Sequence, residues 1–121
     1  MKVNLKKFLL IFCIALLMAT PATGATRGEQ NALSSAKDFL SVMSFSYSGL
    51  IQQLEFDGYT HEEAVYAANN CGADWNEQAV RSARQFLSVM SFSLKGLTEQ
   101  LRFEGYTKEQ AEYGAKTAYA E

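Results

Sequence analysis

The sequence is poor in cysteine and histidine, two residue types that often stabilise small proteins or do chemistry in them. Its 121 residues include two cysteines and one histidine. Cys13 lies in an N-terminal apolar run, so Cys71 is the only cysteine beyond residue 25, and no internal disulfide can form there. His61 alone cannot make a zinc site of the usual composition. The sequence therefore predicts no metal site and a fold held by packing alone.

Motifs for catalysis are also missing. The serines of "SFSYSG" (residues 44–49) do not form a nucleophile elbow of the G-x-S-x-G type, and they suit helix caps and turns better. The acids of "EFDGYTHEE" (residues 55–63) lack the ligand spacing of an EF-hand. A hydrolytic pair of carboxylates needs a cleft and a desolvated member, and a fold this small offers little cleft. We predict no enzymatic activity, no catalytic residue and no bound cofactor.

No apolar run is long enough to span a bilayer comfortably, since the longest covers Phe8 to Ala19 and a spanning helix needs roughly 20 residues. Three lysines precede this run and "TPATGA" (residues 20–25) follows it. This order is typical of a secretory signal peptide, which we place at residues 1–25. The alternative is an uncleaved signal anchor. Because no cysteine stands at residues 20–27, we expect no lipid anchor, and a secreted or loosely surface-associated protein.

Positive charge is scarce beyond residue 25. Eight lysines and arginines stand against thirteen acids there, which gives a net charge of −5. An acidic surface repels phosphate backbones and anionic lipids. The composition therefore argues against nucleic-acid and membrane partners, and it favours a protein partner.

The most informative feature present is an internal duplication. The stretch "FLSVMSFS" occurs at residues 39–46 and again at 86–93, and residues 32–68 align without a gap over residues 79–115. More than half of these paired positions are identical. A period of 47 residues indicates tandem structural modules. We assign the first repeat to residues 27–73 and the second to residues 74–121.

Each repeat is predicted to form three short helices, which makes the protein all-α. The first helix has a single apolar stripe from Ala32 to Met43, with "AVRSARQFLSVM" as its counterpart. Ser46 and Ser93 are expected to cap the second helix, which ends near a glycine. Capping boxes, Thr60 with Glu63 and Thr107 with Gln110, begin the third helix, whose stripe consists of small residues. We expect Phe39 and Phe86, and Leu54 and Leu101, to be buried at equivalent places. The other aromatic residues that recur at the same register are also expected in the core: Phe45, Phe56, Tyr59 and Tyr66, with Phe92, Phe103, Tyr106 and Tyr113.

The junction between the repeats is short, so the two modules are expected to share an interface. Asp74 is predicted to cap the first helix of the second repeat. Trp75 either sits in the shared interface or acts only as a local contact on the helix that Asp74 caps. Cys71 either remains a small, partly buried thiol or forms an intermolecular disulfide.

Residues that project outward are the candidates for recognising a partner. The first repeat carries an acidic set near its second turn, and the second repeat has a less acidic set at the same register. If the acids matter, the partner surface is basic and binding weakens as salt rises. The predicted partner-binding residues are Glu55, Asp57, Glu62, Glu63, Tyr66 and Trp75.

The motifs F-S-x-x-G-L and Q-L-x-x-x-G-Y-T-x-E-x-A-x-Y, and the junction "DWNEQA", together resemble the Ltp-like host cell surface-exposed lipoprotein family of Gram-positive bacteria and their prophages. The first two of these motifs occur in both repeats. The resemblance implies tandem helix-turn-helix-like modules outside the cytoplasmic membrane and no catalytic residues. Some prophage-encoded members act in superinfection exclusion, which blocks phage DNA from entering the cell. This chain lacks the lipid-modified cysteine that the family description implies.

A helix-turn-helix resemblance raises the question of DNA binding, and the residues argue against it. The candidate recognition helix "HEEAVYAANN" (residues 61–70) has two acids and neither lysine nor arginine. We therefore expect a non-enzymatic interaction module that excludes phage by binding a phage or envelope protein. The alternatives are a structural envelope protein with no phage role and a small hydrolase of unknown type.

Overall fold

The computed structural model describes residues 24–121. Apart from Gly24 and Ala25, the predicted signal peptide lies outside this range. The described residues form six α-helices and no strand, which confirms the all-α prediction. In chain order the helices are α1 (Arg27–Val42), α2 (Tyr47–Phe56), α3 (His61–Asn70), α4 (Trp75–Val89), α5 (Leu94–Phe103) and α6 (Lys108–Tyr119).

The helix boundaries follow from side-chain caps. Ser46 and Ser93 each accept a hydrogen bond from the backbone N–H of the glycine three residues later, as predicted. Thr60 and Thr107 form complete capping boxes at the starts of α3 and α6. Each of these caps satisfies backbone donors that the first helical turn leaves free. The second helices end where Gly58 and Gly105 adopt positive φ angles of 102° and 101°.

Each repeat has its own small core around two leucines. Leu50 and Leu54 are fully buried in the first repeat, and Leu97 and Leu101 take the same places in the second. Alanines fill the space between the first and third helices of each repeat and let the two helices approach closely. The core thus consists of four leucines, with Leu54 and Leu101 buried as predicted, and a layer of alanines, and most of the aromatic residues expected there are only partly buried or exposed.

The prediction that Phe39 and Phe86 are buried is wrong, because both side chains are only partly buried. They lie one turn before the ends of α1 and α4, at the rim of the core. Each is covered by one edge-on aromatic contact from the following loop, Phe39 with Phe45 at 5.8 Å and Phe86 with Phe92 at 5.9 Å between ring centroids. The short second helices do not reach far enough to cover them fully.

Other expected core residues face outward. Phe56 and Phe103 are 87% and 86% exposed. Each follows the second buried leucine of its helix by two positions, which turns it by about 200° to the opposite face. Met43, at the end of the predicted stripe, lies just beyond α1 and is 52% exposed. The prediction is also wrong for Tyr113, which is 50% exposed, whereas Tyr106 is buried as expected.

The close contact between α4 and α6 depends on Gly114, which has no side chain. A β-carbon at Gly114 would lie 2.7 Å from both the carbonyl carbon and the β-carbon of Ala79. In a free helix, glycine to alanine stabilises by about 1 kcal/mol. Here we expect Gly114→Ala to destabilise by about 1–2 kcal/mol net, because overpacking costs about 1–3 kcal/mol. Urea unfolding measures the sign, with the exposed Lys116→Ala as control. A more stable Gly114→Ala protein would show that the helices are not in close contact.

The two repeats meet through the loop between α1 and α2, which lies against the second repeat. The Ser44 hydroxyl shares a hydrogen bond of 2.7 Å with that of Ser82 on α4. The Ser46 hydroxyl donates to the backbone carbonyl of Glu104, also at 2.7 Å. Further hydrogen bonds run from the Phe45 N–H to the side-chain oxygen of Gln78, from Ser48 to the Gly105 carbonyl and from Arg81 to the Leu40 carbonyl.

This junction holds the buried polar side chains of the fold. Among residues 24–121 the buried polar side chains are Ser46, Gln78 and Ser82, and all three lie at the junction. Each has a hydrogen-bond partner there, so none is left unsatisfied. Unsatisfied buried groups are costly, so a matched set of this kind fixes the angle between the repeats.

Trp75 lies in the shared interface. Its ring makes an edge-on contact with Tyr47 of the first repeat, with 5.6 Å between centroids and an interplanar angle of 86°. The ring also packs against the core of the first repeat although the residue begins α4. Of the two readings of Trp75, the structure supports the interface. Asp74 caps α4 as predicted, through the backbone N–H of Glu77.

Candidate interaction surface

The predicted acidic residues do not all point into solvent. Glu55, at the end of α2, bonds through its carboxylate to the imidazole Nδ1 of His61 at the start of α3. His61 thus has a partner, although its side chain is 70% exposed. Asp57 ends α2 and accepts a hydrogen bond of 3.3 Å from the Gln53 amide. Glu62 is exposed, and we find no partner for it in the described residues.

Glu63 has the capping role that its spacing from Thr60 predicts. Its carboxylate accepts the backbone N–H of Thr60 at 2.9 Å, which completes the capping box of α3. The same carboxylate lies against Gly28 of α1, where even a β-carbon would clash with it. The residue is half-buried. A lysine here would therefore disturb α3, and Glu63 is a poor choice for a charge-reversal test.

Tyr66 and Trp75 are linked only through other residues. Tyr66 is half-buried on α3, one turn after Glu62 and therefore on the same helical face. Three residues further along α3, the Asn69 side-chain oxygen accepts a hydrogen bond of 2.8 Å from the Tyr47 hydroxyl. Tyr47 in turn contacts Trp75. The predicted partner-binding residues are thus Glu62 and Tyr66 on one face of α3, Trp75 at the junction, Glu55 paired with His61, and the capping residues Asp57 and Glu63.

Charge is distributed unequally between the repeats. Residues 27–73 carry six acids and two bases, whereas residues 74–121 carry seven acids and six bases. Most of the net charge of −5 therefore belongs to the first repeat. In the second repeat Arg84 pairs with Glu121, which holds the pKa of the Glu121 carboxyl below its usual range. The first repeat is the more attractive surface for a basic partner.

A serine–tyrosine contact recurs in both repeats, and the sequence reading missed it. The Tyr59 hydroxyl bonds to Ser35 at 2.8 Å, and the Tyr106 hydroxyl bonds to Ser82 at 2.6 Å. The Tyr106 hydroxyl also donates to the Gln78 carbonyl at 3.0 Å. Burial raises the pKa of Tyr106 to about 12, and the hydrogen bond with Ser82 opposes that rise. The aligned sequences show the matching Ser and Tyr positions, but they do not show that these side chains are in contact.

A groove of about 470 Å³ lies between the repeats. Its walls include Met43 and Ser44 of the first repeat, and Phe103, Glu104 and Tyr106 of the second. None of these residues was a predicted partner-binding residue. The groove depends on the angle between the repeats, which no sequence pattern indicates.

Residues 24–121 contain no sign of a metal site or of a membrane-spanning helix. No cluster of three or more histidine, cysteine or acidic side chains there has a geometry that could hold a metal ion. None of the helices in that range combines the length and apolar character needed to cross a membrane. Cys71 is an unpaired, half-buried thiol at the end of α3 whose sulfur lies 3.4 Å from the Ala68 carbonyl. The intermolecular disulfide stays a prediction.

Comparison with known proteins gives a consistent result over both repeats. Residues 28–71 and residues 74–117 each match the family described as host cell surface-exposed lipoprotein. A similar solved structure is that of Ltp, a superinfection exclusion protein from the Streptococcus thermophilus temperate phage TP-J34. The two share 33% sequence identity with a TM-score of 0.72, over 77% of this chain and 97% of that chain. No curated protein matches the chain.

Proposed function

Because the chain belongs to the family of host cell surface-exposed lipoproteins, we propose that it acts at the cell surface in superinfection exclusion. In this role it blocks the DNA of an incoming phage from entering the cell. The observation that carries the proposal is the similarity to the phage TP-J34 protein, which extends over 97% of that chain and therefore includes both repeats. Similarity at 33% identity over both modules goes beyond a shared helical fold.

The proposed mechanism is binding to a protein, without catalysis. The junction between the repeats is hydrogen-bonded throughout, so the molecule presents a fixed surface. A pre-organised surface binds without a large ordering cost. The concentration of acids in the first repeat favours a partner with a basic surface, such as a phage or envelope protein.

The proposal is tested by plating phages that infect the producing bacterium on strains with and without the gene. We expect fewer plaques on the strain that carries the gene, with normal growth of uninfected cells. Equal plaque numbers for every phage that adsorbs would contradict the proposal, and would leave a structural role in the cell envelope as the function.

The acidic face is tested with a matched pair of charge reversals. Glu62 and Glu109 occupy the same position of the two repeats, and each is exposed in the first turn of its helix. We expect Glu62→Lys to weaken partner binding about fivefold, roughly 1 kcal/mol, because it removes an exposed charge that faces a basic surface. Plating efficiency then rises toward that of the strain without the gene, while Glu109→Lys retains more exclusion.

Both variants place a lysine near a helix N-terminus, which costs a similar amount of stability in each repeat. Circular dichroism therefore checks that both remain folded to the same degree. Equal exclusion by the two variants would show that the acids of α3 are only solvated. If raising the salt concentration weakens exclusion in neither variant, the contact with the partner is uncharged.

A further inference from the structure

Several large apolar side chains are exposed at positions where the fold gains nothing from them. Val42 and Val89 are 72% and 76% exposed, and Met43 and Met90 are 52% and 57% exposed. Phe56 and Phe103 are more exposed still. None of the six belongs to, or packs against, either core cluster. Single exposed apolar residues are common, but these recur as pairs at the same register of both repeats.

The duplication shows which exposed positions have changed between the two copies. Some charged surface positions have diverged: Glu55 corresponds to Arg102, and His61 to Lys108, whereas Glu62 and Glu109 are the same. The exposed valine, methionine and phenylalanine are the same residues in both copies. Packing within the cores does not require them, since these side chains are outside the cores. Large apolar side chains that stay exposed in this way are typical of a surface that contacts another molecule.

The angle between the repeats brings one such residue from each copy into a common groove. Met43 of the first repeat and Phe103 of the second both line the groove of about 470 Å³. This volume lies within the range of pockets that bind a ligand or a few side chains. Their counterparts Met90 and Phe56 do not line it. The groove is therefore assembled by the junction and is not simply repeated in each module.

The floor and rim of the groove are rigid and carry one sign of charge. Ser44 and Tyr106 both bond to Ser82, and the Glu104 carbonyl accepts from Ser46. Glu104 is the only charged residue among those that line the groove, and it is exposed. The other lining residues are mostly polar, so Met43 and Phe103 form an apolar part of the groove beside a single carboxylate. This combination complements a large apolar side chain next to a cationic one.

We propose that the groove between the repeats binds a segment of a partner protein in which a large apolar side chain is flanked by lysine or arginine. The apolar side chain lies between Met43 and Phe103, and the cationic side chain pairs with Glu104. The role of this contact in phage exclusion rests on the proposed function, whereas the binding itself does not. The groove thus specifies the chemistry of the partner and not only the sign of its charge.

Methyl NMR tests the binding directly, because Met43 and Met90 are matched reporters. The four methionines of the full chain are labelled on their ε-methyl groups and assigned by single Met→Leu substitutions. The probe is the blocked peptide Lys-Phe-Lys, with Lys-Ser-Lys and Glu-Phe-Glu as controls. We expect Lys-Phe-Lys to shift the Met43 methyl saturably, with a dissociation constant near 1 mM, and to leave that of Met90 nearly unchanged. Both controls are expected to bind at least about tenfold more weakly.

Two phenylalanine variants complete the test. Phe103→Ser removes a groove wall and is expected to abolish the Met43 shift, whereas the equally exposed Phe56→Ser retains it. Equal shifts of Met43 and Met90, or equal binding by Glu-Phe-Glu, would overturn the groove proposal. The plating assay separates the two proposals. If the natural protein excludes phages and Phe103→Ser excludes them equally well, the groove has no role in exclusion and the proposed function stands. Absence of exclusion by the natural protein refutes the proposed function, and leaves the peptide binding to be judged by NMR alone.

Discussion

Replacing Leu101 with alanine is expected to destabilise the protein by about 2–5 kcal/mol. Leu101 is fully buried, and its neighbours in the core of the second repeat include several alanines. Alanines offer little side chain that can move into the space a leucine leaves, so the cavity persists and its cost adds to the lost burial. A small domain has a stability of about 5–15 kcal/mol, so this single change removes a large share of it.

Urea unfolding followed by circular dichroism measures this loss, and Leu54→Ala is the matched variant in the first repeat. We expect similar losses for the two leucines, because both are completely buried at equivalent positions. Phe86→Ala is expected to cost less than either, since Phe86 is only partly buried. A larger loss for Phe86→Ala than for Leu101→Ala would show that the core is aromatic after all.

Raising the pH from about 10 to about 12 is expected to remove about 2 kcal/mol of stability through Tyr106 alone. Burial raises the pKa of this phenol from 10.0 to about 12 in the folded protein. The folded state therefore keeps its proton where the unfolded chain loses it. The contribution is fully present below pH 10 and is lost as the pH rises through the folded-state pKa. Guanidinium unfolding at several pH values measures the decline.

Other tyrosines also ionise in this range, so the assignment needs variants. Tyr106→Phe is expected to lose stability at neutral pH, since Ser82 and the Gln78 carbonyl lose their partner, but to show a shallower decline above pH 10. Tyr59→Phe, the equivalent change in the first repeat, keeps Tyr106 in place and is expected to retain the decline. An unchanged alkaline decline in Tyr106→Phe would refute the assignment.

Local features of the fold could be predicted from the sequence because they depend on nearby residues. The caps at Ser46, Thr60 and Asp74 were predictable, since a side-chain oxygen reaches only the next turn. The capping box of α1, from Thr26 to Glu29, has the same signature but was missed beside the predicted signal cleavage site.

The burial or exposure of individual aromatic side chains was harder to predict. A recurring aromatic residue resembles a core residue, yet Phe56 and Phe103 lie on the faces opposite the buried leucines. Counting by the helical period from Leu54 would have shown this. For Tyr106 no such count suffices, because the first repeat covers it while its counterpart Tyr59 stays partly exposed.

The candidate site could be predicted only in part. The acids of the first repeat were identified from charge, and the capping role of Glu63 from its spacing to Thr60, but the pairing of Glu55 with His61 depends on the turn between α2 and α3. The groove could not be predicted, because Met43 and Phe103 are sixty residues apart in sequence and meet only through the angle of the junction.

The proposed role in superinfection exclusion requires that the protein block phage DNA after the phage has attached. Infecting strains with and without the gene, and measuring both adsorbed particles and nuclease-protected phage DNA inside the cells, tests this step. We expect equal adsorption on the two strains and a large loss of internal phage DNA on the strain that carries the gene. Equal amounts of internal DNA on both strains, or a loss fully explained by reduced adsorption, would contradict it.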